Sequence, residues 1–77
     1  MDTTKRESLY AAQKNIALRV VAAPDVAQLA NLGLRPGTRL AVENRYRLGG
    51  PVLLKVEDSF NVAIGKDIAE HIEVVAL

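Results

Sequence analysis

Apolar and polar residues alternate in five short stretches, each the length of a strand. In Ile16–Ala23, Leu18, Val20 and Ala22 fall on one face, and Ala17, Arg19 and Val21 on the other. Arg39–Tyr46 reads as a second strand, with Leu40 and Val42 inward and Arg39, Ala41 and Glu43 outward. Val52–Glu57 places Val52, Leu54 and Val56 on one face. Asn61–Gly65 is a short fourth strand, and Ile72–Ala76 a fifth with Ile72 and Val74 inward. Five short strands with turn signals between them predict a mainly β fold, a small barrel or sandwich.

Between the strands the pattern changes. Pro24-Asp25 starts a helix, with Val26, Leu29 and Ala30 on a shared face. Gly33 ends that helix as the left-handed residue beyond it, and Leu34 folds back onto the last turn. Arg35-Pro36-Gly37-Thr38 is a turn, because Pro presets φ and Gly accepts a positive φ. Leu48-Gly49-Gly50-Pro51 is another, and Asp58-Ser59 a tight reversal. The structural turn residues are thus Gly33, Pro36, Gly37, Gly50 and Pro51. Lys66–His71 predicts one helical turn with Ile68 inward and Asp67 near its start. Ser8 caps a short turn over Leu9–Gln13, and Asn15 suits a left-handed backbone. Residues 1–7 are polar and read as a flexible N-terminus, and residues 8–77 as one domain.

Composition narrows what this domain can do. The 77 residues contain no cysteine and one histidine, His71, which excludes a disulfide scaffold, an iron–sulfur cluster and a cysteine-built zinc site. Aromatics are 4% of the chain, so the core is aliphatic and platforms for stacking bases are nearly missing. Ten basic residues face nine acidic ones, and a net charge of +1 neither demands nor excludes nucleic acid. No apolar run approaches the roughly 18 residues of a membrane span. The opening residues have no apolar stretch of signal-peptide type, and a cytoplasmic location is expected.

The run Leu29-x-x-Leu32-Gly33-Leu34-x-Pro36-Gly37-Thr38 is followed by Gly49-Gly50-Pro51, Val62-Ala63-Ile64 and Ala69-x-x-Ile72-x-Val74. This pattern resembles the FeoA family, small cytosolic partners of the bacterial ferrous-iron transporter FeoB, over about residues 8–75. The resemblance implies an SH3-like barrel of about five strands with two or three short helices. It also implies a non-enzymatic protein-interaction module acting on the cytosolic GTPase region of a FeoB-type transporter in iron transport. Related domains end iron-responsive repressors of the diphtheria-toxin-repressor type, so the barrel alone does not define the partner. Three positions depart from the family pattern: Asn15 where Gly is frequent, Gly50 where the turn often carries Asp, and Asp58-Ser59 where Gly is usual.

Catalytic chemistry has little to work with, and no catalytic residue, cofactor or metal site is expected. Neither Ser8 nor Ser59 is spaced to use His71, and no phosphate-loop motif occurs. Asp67, Glu70 and His71 share one helical turn and form a weak candidate for a divalent ion, against the plainer reading of a solvated face. The segment Arg45-Tyr46-Arg47-Leu48 stands out, since Arg and Tyr are enriched at interface hot spots. Three readings remain open for it: a barrel edge with solvated arginines, a protein-docking loop, or a phosphate contact. The docking loop is taken as the partner-binding site, with no nucleic acid and no membrane insertion expected. The alternative is a small-barrel nucleic-acid-binding or metal-sensing regulatory domain. Oligomeric state is open, with Val21, Leu53 and Val75 as outward apolar residues.

Overall fold

A computed structural model describes residues 5–46 and 48–77. Its elements are strand β1 (Glu7–Ser8), a 3₁₀ turn (Leu9–Ala11), β2 (Leu18–Ala22), helix α1 (Ala27–Asn31), β3 (Arg39–Arg45), β4 (Val52–Val56), β5 (Phe60–Ile64), helix α2 (Lys66–Ala69) and β6 (Glu73–Ala76). The strands form one sheet, ordered β1-β6-β2-β3-β4-β5, with every neighbouring pair antiparallel. The architecture is mainly β with short helices, as expected, but it has six strands. The added one is β1, in which Glu7 and Ser8 pair with Val74 and Glu73. Glu7 therefore lies in the sheet, at the end of the segment expected to be loose; residues 1–4 lie outside the described residues.

The alternation predicts the core closely. Leu18, Val20, Leu40, Val42, Val52, Leu54, Val56 and Val74 are all buried on the inner face. Leu9, Ala12, Leu29, Leu34, Ala69 and Ile72 join them from the segments that cover the sheet. Val21, Leu53 and Val75 are half-buried on the opposite face. The N-terminal segment is stitched across the barrel. The Leu9 N–H donates to the Ile72 carbonyl (2.7 Å), and the Asn15 N–H to that of Val42 (2.9 Å). Asn15 adopts φ 64°, within reach of an asparagine. The Ser8 hydroxyl accepts from the Ala11 N–H at 3.2 Å, the predicted cap, on a shorter turn than expected.

The helices differ more. α1 starts at Ala27, not at Pro24-Asp25, because Val26 stays extended (φ −124°, ψ 139°) as its N-cap. A five-residue helix offers the core little more than one side chain. Leu29 is buried, while Val26 and Ala30, predicted to share its face, are exposed. Its end is a Schellman motif: the Leu34 N–H donates to the Leu29 carbonyl (2.9 Å) and the Gly33 N–H to that of Ala30 (3.0 Å), with Gly33 at φ 77°. Thr38, buried, ties this end to the next turn by donating its hydroxyl to the Gly33 carbonyl at 2.7 Å. In α2 the buried residue is Ala69, and Ile68 is only half-buried.

The β4–β5 reversal is centred one residue earlier than predicted. Glu57 (φ 53°) and Asp58 (φ 58°) both lie in the left-handed region, and the Ser59 N–H donates to the Val56 carbonyl at 2.9 Å. Positive φ at both central residues marks a type I′ turn, which Asn-Gly normally makes. Asp58→Gly is expected to stabilise the protein by roughly 0.5–1 kcal/mol, the relief of left-handed strain less the entropy of a glycine. A higher urea midpoint at unchanged slope is the measurement.

Candidate functional site

The β3–β4 hairpin carries the predicted docking segment, and a bulge decides how its side chains point. Val42 faces Leu54, but the next pairs are Asn44 with Leu53 and Arg45 with Val52. β3 therefore holds one more residue than β4 over this stretch, and the alternation inverts. Directly opposed residues project from the same side of a sheet. Val52 is buried, so Arg45 turns toward the core side and Tyr46 away from it.

Arg45 is half-buried. Its Nη2 donates to the Ala12 carbonyl, and its guanidinium carbon lies 6.0 Å from the centre of the Tyr10 ring. The Lys66 ammonium lies 5.5 Å from the same ring. Tyr10 thus holds one cation from the hairpin and one from the start of α2, each near the roughly 6 Å limit of cation–π attraction. Arg45 Nε is buried and has no hydrogen-bond partner among the described residues. The arginine fastens the root of the hairpin to the 3₁₀ turn. Tyr10 and Lys66 were not singled out in the sequence, because only the bulge brings Arg45 to them.

Beyond Arg45 the hairpin becomes a projecting tip. The Tyr46 N–H donates to the Pro51 carbonyl at 3.1 Å and closes the loop. Tyr46 is exposed, and Leu48, at φ 63°, is fully so at 104% of its reference area. Gly49 follows at φ 86°. Gly50 is required for a different reason: a Cβ there would stand 2.6 Å from Tyr46 Cβ. Pro51 leads directly into β4. Arg47 lies outside the described residues. Between this tip and α2 is an open cleft of about 450 Å³ lined by Gly49, Pro51, Gly65, Lys66, Asp67 and Glu70.

The other candidates are not assembled into sites. Among the described residues no group of three His, Asp or Glu could hold a metal ion, so Asp67, Glu70 and His71 do not form the weak candidate their spacing allowed. Ser8 is a helix cap, and the Ser59 hydroxyl donates to the Glu57 carbonyl at 3.2 Å. Arg39 is exposed, and its backbone N–H donates to Glu57 Oε2 at 3.3 Å.

The family profile described as FeoA domain matches residues 9–76. The chain belongs to the FeoA family. Its structural relatives agree. An iron uptake regulatory protein (FeoA) is 27% identical, with a TM-score of 0.82 over 95% of this chain and 99% of that one. The FeoA-like protein of Clostridium acetobutylicum is 20% identical, with a TM-score of 0.79 over 97% of this chain and 91% of that one. A manganese-dependent transcriptional repressor is 24% identical, with a TM-score of 0.85 over all of this chain but 45% of that one. The chain thus spans under half of the repressor's length, and the likeness shows a common SH3-like fold. No curated protein sequence matches. The FeoA family comprises small accessory domains in the setting of iron uptake and is not a known enzyme family. Among the described residues no helix of this FeoA-family chain is long and apolar enough to cross a membrane.

Proposed function

We propose that this FeoA-family protein is a non-enzymatic, cytoplasmic accessory of ferrous-iron uptake that binds the cytosolic GTPase part of a FeoB-type transporter and modulates it. Tyr46 and Leu48 at the tip of the β3–β4 hairpin are the contact residues. The observation that carries this reading is Leu48, a large apolar side chain with its whole surface in solvent, on a hairpin whose root Arg45 holds to the 3₁₀ turn. Apolar and aromatic anchors presented on a rigid support lose little entropy on docking, and such anchors dominate interface energies. Arg45 acts as the positioning residue behind them, and Arg47 extends the same tip in sequence. Membership of the family supplies the transport setting.

A pull-down with the cytosolic domain of the transporter tests the reading. Tyr46→Ala and Leu48→Ala should each weaken capture about tenfold or more, the effect of losing one hot-spot anchor. Undiminished capture of both variants removes the site. Failure to capture the unaltered protein removes the partner.

A further inference from the structure

The sheet has two edges, and they differ. At one end β1 is two residues long, carries Glu7, and lies beside the Arg6–Glu73 ion pair (3.3 Å). Short, charged edges of this kind do not recruit further strands. At the other end β5 is five residues long and reads Phe60-Asn61-Val62-Ala63-Ile64, with no charge and no proline. None of the features that blunt an edge strand is present in it.

Its side chains also show an unfinished surface. Phe60, Val62 and Ile64 oppose Val56, Leu54 and Val52, all three buried, so they project from the core side of the sheet. Ile64 is buried, but Val62 is only half-buried and Phe60 remains 45% exposed. Val62 packs against the core only in part, and Phe60 borders an open cleft beside residues 32–38, so both keep apolar surface at this edge.

We infer that β5 pairs with β5 of a second copy of this chain, antiparallel about a two-fold axis through Val62, so that two sheets join into one. In a self-paired antiparallel edge the axis must pass through one residue; otherwise an outward-pointing backbone group would meet an inward-pointing one. With the axis at Val62 all five residues of β5 are matched. Phe60 then lies beside Ile64 of the second copy, twice, and Asn61 opposite Ala63, twice. That register also brings Lys66 of each copy nearest Asp58 of the other and Asp67 nearest Glu57, so attraction and repulsion act together at both ends and the apolar strand itself carries the pairing. Moving the axis to Asn61 or Ala63 loses the full overlap. The area of one strand pair is small, and the dimer is a weak, reversible one.

Sedimentation of the intact chain over a concentration series tests the pairing, with two double variants at exposed positions. Asn61→Lys with Ala63→Lys sets like charges directly opposite at two places and should leave a monomer. Asn61→Asp with Ala63→Lys sets opposite charges there and should dimerise at least as well as the unaltered chain. The two dissociation constants should differ about tenfold or more. A chain that stays monomeric at millimolar concentration, or two double variants that behave alike, overturns the proposal. Should the lysine pair fail to fold, Val62→Cys decides. The chain has no cysteine of its own, so on mild oxidation Val62→Cys, which faces itself at the axis, should link two copies and Ala63→Cys, which faces Asn61, should not; equal linkage of the two, or none in Val62→Cys, overturns the register.

Discussion

Leu54→Ala is expected to cost about 2–5 kcal/mol, enough to leave the protein largely unfolded at physiological temperature. Leu54 is fully buried at the middle of β4, opposite Val42 on β3 and Val62 on β5. The surrounding core is aliphatic, made mostly of Val and Leu whose backbones are locked in the sheet. Such a site cannot collapse into the space that the lost atoms leave, so the cavity penalty adds to the lost transfer energy. A domain of this size has a small margin to begin with. Leu53→Ala next to it, half-buried on the opposite face, should cost under about 1.5 kcal/mol. Urea titrations of the two variants check the difference, and similar losses would contradict the inward and outward assignment of β4.

The second large effect is expected at Gly50. Its neighbour there is the root of a side chain and the backbone itself: an added Cβ would meet Tyr46 Cβ at 2.6 Å and the Tyr46 carbonyl oxygen at 3.2 Å. Neither can swing away as the end of a long side chain would. Gly50→Ala should therefore displace Tyr46 and open the loop closed by the Tyr46–Pro51 hydrogen bond, at a stability cost of roughly 1–3 kcal/mol. Amide chemical shifts should change at Tyr46–Pro51 and stay in place in β2 and β6. Capture by the transporter's cytosolic domain should fall about tenfold or more, since the loop carries both contact residues. An undisturbed Tyr46 amide would refute the steric argument, and full capture by a displaced loop would refute the site.

The strands were legible because period-two alternation is a direct record of one buried face. Leu18/Val20, Leu40/Val42, Val52/Leu54/Val56 and Val74 all point where that pattern puts them. Gly33 and Gly37, at φ 77° and 99°, sit where backbone chemistry asks for glycine. What was not legible depends on one added residue or on distance. The bulge between Val42 and Asn44 inverts the parity of β3, and nothing in Val42-Glu43-Asn44 announces it. Arg45 consequently reads as outward in the sequence and lies against Tyr10 in the fold. Likewise Glu57, a poor left-handed residue, and Asp58, a more tolerant one, occupy a turn that Asn-Gly would have advertised. Glu7-Ser8 is too short to show any period, and it becomes a strand only because β6 offers a partner. The docking tip is intermediate: its residues were conspicuous by type, but their division into an anchored arginine and exposed anchors required the bulge.

The place of β6 also bears on how the chain folds. The last strand in sequence lies between β1 and β2, two of the earliest. β2, β3, β4 and β5 each lie beside the one before, so their pairings are local in sequence. Among the described residues β1 pairs with β6 alone, so it gains a neighbour only when Glu73–Ala76 docks, and the same step seats Val74 in the core. Native contacts of such long sequence separation form slowly. Insertion of β6 between β1 and β2 is therefore expected to be the slow step in completing the sheet.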